Sequence, residues 1–408
     1  MNRRDFLFAG AVSLCATASA AGRDDAFPVQ SLRTPEPMAQ MRADDASGLL
    51  LVSVAGVLWQ WAAATSAWTR LADAIDAATP VAVGHGRIAA RLAHGGLWVQ
   101  EAGRAKLSRE VRLASHAGML NLPLGIIGVV DAGGRAYAAR FEIDGRGQWV
   151  ETARSTEVVM PDARPVQIDF DTADGVGEGD VVLLAGPDDR RYIHGVLGDA
   201  IESTRVLYLD RHTLIVLRSL DVDAPHVIED IAPKPVQWRG KRGLLTMRSG
   251  PQGAQLVVIA ASSTRRNALE FAAVGAPIGM PGRWMAATTD GNHLLAVHTP
   301  HIGGVLHAYQ ADGGVLRSRI IDQNVANHRI GSRELDLATW IGQRLMLPAQ
   351  NRRSLRCFDA GHGWGPCGTW SLPAPIVATS PITQRGRPGV AALMEDGHVV
   401  VATMEPHR

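Results

Sequence analysis

The chain has 408 residues, and its 46% apolar and 20% charged content is ordinary for a globular protein. It has 41 Lys and Arg against 40 Asp and Glu, so the net charge of +1 leaves no basic surplus that would attract a nucleic-acid backbone. No apolar stretch approaches the roughly 20 residues that a membrane-spanning helix needs. The 43 glycines and the short runs of Val, Leu and Ala favour short strands joined by turns over long helices.

The N-terminus has the pattern of an export signal. Arg3 and Arg4 precede a mildly apolar segment, and the Ala-Ser-Ala ending at Ala20 fits the small-residue rule for signal cleavage. The run Arg-Arg-Asp-Phe-Leu is typical of a twin-arginine signal, and an ordinary secretory signal is the alternative. We therefore expect residues 1–20 to be a signal peptide, residues 21–408 to form the mature protein, and its location to be periplasmic or secreted.

A hairpin pattern recurs along the rest of the chain. Each repeat has a glycine, an apolar run, a polar turn and a second apolar run, which is the pattern of a β-hairpin. Neighbouring repeats begin 38 to 65 residues apart. The glycines that begin them are Gly48, Gly86, Gly125, Gly175, Gly240, Gly291, Gly342 and Gly386. A strand-based repeat of about 40–65 residues predicts an all-β fold, a β-propeller with one blade per repeat.

Two other architectures compete with the propeller. A series of β-sandwiches would need linkers between domains, and a solenoid would need a shorter and stricter repeat. Neither feature stands out, so we expect residues 21–408 to form a single propeller domain. The segment 27–32 is a plausible outer strand for the hairpin at 390–404, which would close the ring by joining the N- and C-terminal strands.

The stretch "IDFDTADGVGEGDVVLL", residues 168–184, places four aspartates and a glutamate immediately before an apolar strand. It resembles the FG-GAP or VCBS repeat of integrin-α-like propellers and of secreted bacterial proteins. Asp169, Asp171, Asp174, Gly175 and Asp180 follow one another in the order of that repeat, with Asp174 one place late and Asp180 shifted as well. The chain departs from that repeat at Ala173, where the family has its third aspartate. The resemblance implies a propeller of seven blades. The sequence contains eight hairpins, so eight blades are the alternative.

The same acidic stretch leaves two interpretations open. Calcium takes six to eight oxygen ligands, and Asp169, Asp171, Asp174 and Asp180 would supply several of them in a compact loop. In that case the ion would brace a hairpin. If the loop is instead spread into water, screening makes the repulsion between its carboxylates small, and the stretch is an ion-free acidic turn. No other cofactor is indicated.

Two neighbouring stretches carry more reactive side chains than folding requires. "HTPHIGGVLHAY" contains His301, and "NVANHRIGSRELDLATW" contains His328, Arg333 and Glu334. Imidazole, guanidinium and carboxylate groups serve in acid–base catalysis and in binding anionic ligands. These four residues are the catalytic or ligand-contacting candidates, and loop solvation or packing is the alternative for each.

The mature chain keeps two cysteines, Cys357 and Cys367, separated by a Gly-rich spacer. An even pair in an oxidising compartment predicts a disulfide across a hairpin. Two free thiols are one alternative. A metal site that adds His362 is another, although zinc sites have more closely spaced cysteines.

These patterns favour a non-enzymatic binding or scaffolding module, a monomer whose partner is a protein or a polysaccharide. The alternative is a propeller hydrolase or lyase that acts on a polysaccharide. Carboxylate pairs usually carry out glycoside hydrolysis, and no convincing pair is visible in the sequence. The serine-nucleophile, zinc-protease and phosphate-binding motifs are also absent.

Overall fold

The computed structural model describes residues 29–44, 48–62, 65–172, 179–335, 337–384 and 386–404. These residues form 33 β-strands and one short 3-10 helix, Ala360–His362. No helix among them has the length and hydropathy of a membrane span. The strands fall into groups of four that follow one another along the chain, which is the all-β propeller predicted from the repeats.

The first half of the chain forms four blades, each an antiparallel sheet in which consecutive strands are neighbours. Blade 1 contains β2 (Met38–Asp44), β3 (Gly48–Ser53), β4 (Leu58–Ala62) and β5 (Ala67–Ala72). Blade 2 contains β6 (Ala82–Gly84), β7 (Arg87–Arg91), β8 (Leu97–Glu101) and β9 (Arg104–Ser108). Blade 3 contains β10 (Leu120–Leu122), β11 (Gly125–Ala132), β12 (Arg135–Ile143) and β13 (Trp149–Val158). Blade 4 contains β14 (Val166–Ile168), β15 (Asp180–Asp188), β16 (Glu202–Leu209) and β17 (Val216–Asp221).

The second half repeats this arrangement after a short extra strand, β18 (Val227–Ile228). Blade 5 contains β19 (Lys234–Trp238), β20 (Lys241–Ser249), β21 (Gln255–Ala261) and β22 (Leu269–Gly275). Blade 6 contains β23 (Met285–Thr288), β24 (Leu294–His298), β25 (Val305–Asp312) and β26 (Val315–Gln323). Blade 7 contains β27 (Thr339–Ile341), β28 (Arg344–Pro348), β29 (Ser354–Asp359) and β30 (Gly365–Ser371). Blade 8 contains β31 (Ile376–Gln384), β32 (Arg387–Met394), β33 (Val399–Thr403) and, from the other end of the chain, β1 (Val29–Leu32).

The described strands therefore make eight blades, the number of hairpins in the sequence, rather than the seven that the FG-GAP resemblance implied. The last blade has a mixed origin, because β1 pairs antiparallel with β33, from Val29 opposite Ala402 to Leu32 opposite Val399. The first strands of blades 1 and 8, β2 and β31, lie against each other, so the ring closes next to this joint. The closure covers the terminal blade faces that would otherwise be exposed.

The glycines that begin the repeats share one position in the fold. Each described one lies at the turn between the first and second strand of its blade, and the φ angles range from 57° at Gly342 to 116° at Gly125. Side chains with a Cβ rarely adopt this region, so the turns keep glycine while the strands around them vary. This requirement explains why the repeat is visible in the sequence. Gly175 lies outside the described residues.

The core lies between the blades. The strand segment from Val181 to Ala185 is almost completely buried, because blades 3 and 5 cover the two faces of blade 4. Full burial of a Val or Leu side chain contributes about 1.5–3 kcal/mol to stability. Blades 4, 5 and 6 are also joined by backbone pairing. β18 bridges β16 and β20, and β22 pairs in parallel with β26.

Candidate functional site

One end of the propeller carries the loops between the second and third strands of each blade and the loops that link consecutive blades. We call this end the top face. Four of its loops come from blades 4 to 7 and are called the four top-face loops: 189–201, 276–284, 299–304 and 324–335. Loops at one end of a propeller scaffold are where binding residues concentrate.

Hydrogen bonds join the four top-face loops to one another. The amide of Gly282 donates to the Tyr192 hydroxyl at 2.9 Å, and the amide of Gly331 donates to the Val196 carbonyl at 2.9 Å. A third bond of 2.8 Å joins His301 to a histidine of the fourth loop. The four loops therefore form one continuous surface.

The central channel opens on the top face through a cavity of about 450 Å³. Its charged lining is mainly basic and contains Arg42, Arg164, Arg329, Arg333, Glu334 and Glu395. Arg42 and Glu334 form an ion pair at 3.5 Å, and Arg352 lies 3.9 Å from Glu395. The Arg329 side chain is exposed and has no ion pair among the described residues. The mouth of the channel thus presents a surplus of arginine to solvent.

Arg333 is held between two carboxylates. Its Nε donates to Asp162 Oδ2 at 2.8 Å, and its Nη2 donates to Asp199. Asp162 is 5% exposed, and burial raises the pKa of its carboxyl, while the hydrogen bond from Arg333 opposes that rise. The guanidinium therefore neutralises a buried acid and fixes loop 324–335 to loop 189–201.

The two candidate histidines form a chain of hydrogen bonds with fixed direction. Nε2 of His328 lies 2.7 Å from the Ser332 carbonyl oxygen, which can only accept, so Nε2 carries the proton. Burial lowers the pKa of His328 to about 3, so the ring is neutral and its Nδ1 has a lone pair. That lone pair accepts from Nε2 of His301 at 2.8 Å. His301 is neutral too, since burial and the nearby His194 lower its pKa to about 4, and its Nδ1 therefore has a lone pair.

A tryptophan supports both rings. Trp284 is 2% exposed and stacks parallel to His301 with ring centroids 5.9 Å apart. It meets His328 edge-on at 4.7 Å, and its Nε1 donates to the Glu229 carbonyl at 3.1 Å. Because the indole is held from both sides, the orientation of His301 is fixed by packing.

A further pair at the top face was not predicted from the sequence. Nδ1 of His194 is hydrogen-bonded to Oε1 of Glu229, and the Ser249 hydroxyl donates to Oε2. Glu229 is fully buried, whereas the His194 side chain is 24% exposed. The hydrogen bond that the protonated ring donates to Glu229 raises the pKa of His194. A buried carboxylate thus holds an accessible imidazole in one orientation.

Glu202 lies beside this pair and is also nearly buried, with 3% exposure. Its carboxyl forms no hydrogen bond with the residues that the structure describes. Burial, and then the neighbouring carboxylates led by Glu229, raise its pKa to about 10. At neutral pH this side chain is therefore an uncharged acid.

The four candidates from the sequence divide into two sites. His301 and His328 are hydrogen-bonded to each other and connect loop 299–304 to loop 324–335. Arg333 and Glu334 instead line the mouth of the channel. Both ring nitrogens of His328 are engaged, and Arg333 is bound by two acids. No sequence motif indicates His194 and Glu229, because the two residues lie 35 positions apart in separate loops.

The acidic stretch lies at the opposite end of the propeller. Asp169, Asp171 and Asp180 line a cavity of about 310 Å³, and Asp174 lies outside the described residues. The carboxylate of Asp171 pairs with Arg218 at 2.8 Å, and Asp180 accepts from the amide of Arg211 at 3.0 Å. Across the described ranges, no group of three or more His, Cys, Asp or Glu side chains is arranged to hold a metal ion. Both interpretations of the stretch, a calcium loop and an ion-free acidic turn, therefore stay open.

Cys357 and Cys367 form a disulfide between β29 and β30, with their Cα atoms 5.0 Å apart. The sequence predicted this bond. His362, which the alternative placed in a metal site, hydrogen-bonds through Nδ1 to Asp359 at 3.1 Å.

Large apolar side chains are exposed on each of the four top-face loops. They are Ile193 at 76%, Met280 at 56%, Ile302 at 65% and Ile330 at 67%. We call them the apolar patch. Ile193 and Ile302 are the immediate neighbours of His194 and His301, and Ile330 follows Arg329.

No protein-family model and no curated protein matches the chain. Among solved structures, it is similar to BamB from Moraxella catarrhalis, with a TM-score of 0.58 and 15% identity over 93% of this chain and 98% of that one. Sqt1 from Saccharomyces cerevisiae has a TM-score of 0.61 and 10% identity over 93% and 98% of the two chains. The computationally designed protein Ika8 has a TM-score of 0.55 and 11% identity over 92% and 98%. These likenesses show the β-propeller fold, and the FG-GAP and VCBS resemblance stays a prediction.

Proposed function

We propose that the protein is an exported, non-enzymatic β-propeller that binds an extended segment of a partner protein on its top face. The observation that carries this proposal is the set of four exposed apolar side chains, one on each of four loops that hydrogen bonds link in series beside an arginine-lined opening. The bound segment would have apolar side chains for the patch and at least one acidic side chain for the opening.

The apolar patch supports a protein ligand. Each of the four loops exposes more than half of one large apolar side chain, and exposed apolar surface rimmed by polar groups is typical of interaction sites. Arginine and large apolar residues are also enriched at protein–protein interfaces, where charged residues other than arginine are depleted. A polysaccharide offers mainly hydroxyl groups and would leave four exposed apolar side chains without suitable partners.

The charge of the opening selects an acidic segment. Arg329 is exposed and next to Ile330, so one ligand residue can pair with the guanidinium while its neighbour covers the isoleucine. Guanidinium–carboxylate pairs have bidentate geometry, which adds direction to the contact. Charge complementarity of this kind sets orientation and association rate more than affinity.

The enzymatic alternative has less support in the geometry of the predicted residues. His328 uses both ring nitrogens for structural hydrogen bonds, and Arg333 is bound by Asp162 and Asp199. Glu334 pairs with Arg42. A general acid, a general base and a site for a sugar carboxylate would each need one of these groups to be available.

The disulfide supports the exported location in the proposal. Disulfides persist in oxidising compartments such as the periplasm and are rare in the cytosol. The bond between Cys357 and Cys367 lies within blade 7 and does not depend on the N-terminal signal, so it is an independent argument for export.

The test is selection of binders from a display library of random 12-residue peptides on the purified protein. The key variant is Ile302→Glu, and the control is Ile215→Glu, because both isoleucines are 65% exposed in hairpin loops at opposite ends of the propeller. We expect enriched peptides to combine apolar and acidic residues and to lose at least about tenfold in affinity with Ile302→Glu alone. Equal loss with both variants, or binding to a glycan array in place of any peptide, would overturn the proposal.

A further inference from the structure

Two of the loops that carry the apolar patch also carry an imidazole that the proposed function has not used. His194 follows Ile193 and His301 precedes Ile302, so each histidine is adjacent in sequence to an exposed isoleucine. Each ring has one nitrogen tied to the protein: Nδ1 of His194 to Glu229, and Nε2 of His301 to His328. The other two nitrogens, Nε2 of His194 and Nδ1 of His301, have no hydrogen-bond partner within the described part of the chain.

The hydrogen-bond chain behind His301 makes its remaining nitrogen an acceptor. The Ser332 carbonyl fixes the proton of His328 on Nε2, and His328 in turn fixes the proton of His301 on Nε2. Nδ1 of His301 therefore presents a lone pair. Stacking on Trp284 holds the ring in this orientation.

Glu229, the partner of His194, makes the remaining nitrogen of that ring a hydrogen-bond donor. Oε1 of the buried Glu229 is hydrogen-bonded to Nδ1 of His194, and Oε2 accepts from the Ser249 hydroxyl. Burial raises the pKa of Glu229, and the hydrogen bonds with His194 and Ser249 oppose that rise. A protonated His194 balances the negative charge of the buried Glu229 carboxylate. Because an imidazolium has a proton on each ring nitrogen, Nε2 of His194 is a donor. Two histidines of one surface thus present a donor and an acceptor.

Building on the proposed function, we infer that His194 and His301 form a recognition site for the backbone of one residue in the bound segment. Nε2–H of His194 donates to the carbonyl oxygen of that residue, and Nδ1 of His301 accepts from its amide. In an extended segment the amide and carbonyl of one residue point to the same side, as they do in the hydrogen-bonded pairs of an antiparallel sheet. The adjacent isoleucines contact the flanking side chains.

The site discriminates between ligand chemistries. A carboxylate can accept from His194 but has no proton to give to the lone pair of His301, so a backbone residue, which offers both groups, satisfies the site better. A sugar offers paired hydroxyls with the same donor and acceptor capacity, but its polar edges would lie against Ile193 and Ile302. Covering a polar group that lacks a hydrogen-bond partner is unfavourable, and this penalty favours a peptide.

The donor role of His194 depends on pH. The groups that face the ring are Glu229 from the loop before blade 5, Tyr192 from its own loop and His301 from blade 6, with Glu202 behind Glu229. The pKa of His194 is raised above its usual 6.5 by Glu229, so the imidazolium exists below that raised value and is lost as pH rises through it. Affinity for the segment should fall over the same interval.

The experiment uses a peptide enriched in the display selection and measures its affinity by fluorescence anisotropy. His194→Ala and His301→Ala are each expected to weaken binding about tenfold or more, because each removes a hydrogen bond to the peptide backbone. The matched control is His362→Ala, since His362 is an exposed histidine that is also paired with a carboxylate. His301→Asn, whose side-chain oxygen can accept in place of Nδ1, should retain most of the affinity.

Two further measurements show whether the histidines contact the peptide directly or only hold the loops in place. The peptide amides are N-methylated one at a time, and methylation at one position should abolish binding to the wild type. Methylation at that same position should cause no additional loss of affinity in His301→Ala. Glu229→Gln should move the fall in affinity to lower pH. If Ile302→Glu abolishes peptide binding while both histidine variants stay within twofold of the wild type, this inference is wrong and the proposed function stands. If no peptide binds, both are wrong.

Discussion

His301 and His328 are joined by a hydrogen bond of 2.8 Å in which Nε2 of His301 donates to Nδ1 of His328. The bond requires a neutral His328, because an imidazolium has no lone pair with which to accept. The burial that lowers the pKa of both rings therefore also preserves the connection between loops 299–304 and 324–335.

This pair should make the fold sensitive to mild acid. Their folded pKa values, about 4 for His301 and about 3 for His328, lie below the usual 6.5, so the unfolded chain binds protons more tightly. The stability that the neutral rings contribute is present above pH 6.5 and is lost as pH falls through 4 to 3. We expect a loss on the order of 3 kcal/mol across this interval in urea unfolding. In His328→Gln the loss should be smaller, and an unchanged pH profile would contradict the assignment.

Glu202 should respond in the opposite direction. Its folded pKa of about 10 lies above the usual 4.5, so its contribution is fully present below pH 4.5 and is lost as pH rises towards 10. Glu202→Gln keeps the shape of the neutral acid and removes this loss. We expect the variant to be about 2 kcal/mol more stable at pH 8 and little changed at pH 4. The exposed Glu110→Gln should differ from wild type by less than about 0.5 kcal/mol at both pH values. Destabilisation of Glu202→Gln at pH 8 would show that the carboxyl is ionised.

Arg333 should be a structural residue of the top face. Arg333→Ala leaves Asp162, which is 5% exposed, without its partner. Breaking a buried ion pair costs several kcal/mol, and we expect a decrease of about 2–4 kcal/mol in the free energy of unfolding. Arg317→Ala breaks an exposed pair with Asp312, whose side chain is 64% exposed, and should cost less than about 0.5 kcal/mol. Equal effects in urea unfolding would contradict the role given to Arg333.

The disulfide should stabilise blade 7. It closes a short loop, since Cys357 and Cys367 are 10 residues apart, and such a loop corresponds to about 2–3 kcal/mol in the unfolded chain. We expect the double variant Cys357→Ser, Cys367→Ser to lose about that much stability. Reductant should destabilise the wild type by a similar amount and leave the double variant unchanged. A reductant effect of equal size on both proteins would mean that the bond contributes nothing.

Calcium is expected to leave the melting temperature of the wild type unchanged, because Arg218 already neutralises Asp171 and the amide of Arg211 occupies Asp180. The measurement is a calcium titration followed by thermal melting, with Asp169→Ala, Asp171→Ala as the comparison. A rise of several degrees that this double variant loses would establish the calcium loop and contradict our expectation.

The sequence predicted the parts of the molecule that depend on local geometry. The turn glycines between the first two strands of each blade must adopt positive φ, so they stayed recognisable and revealed the propeller. The disulfide follows from two nearby cysteines. The number of blades was less secure, because the FG-GAP resemblance favoured seven and the hairpins numbered eight.

The top face was only partly predictable. His301 and His328 were found because they lie in stretches rich in reactive residues. The pair of His194 and Glu229 was missed because the residues lie 35 positions apart, one in a loop of blade 4 and the other in the loop before blade 5. The pair of Asp162 and Arg333 spans 171 positions, and only the closed ring brings the two side chains together. The apolar patch was also not predicted, because the exposure of an isoleucine depends on how its loop packs.

The most direct test of the account is hydrogen–deuterium exchange of the protein with and without a peptide enriched in the display selection. The account predicts slower exchange on binding in the four top-face loops, 189–201, 276–284, 299–304 and 324–335, and no change at the opposite end of the propeller. Slower exchange confined to the turns around Asp171 and Ile215, with the top-face loops unchanged, would contradict it.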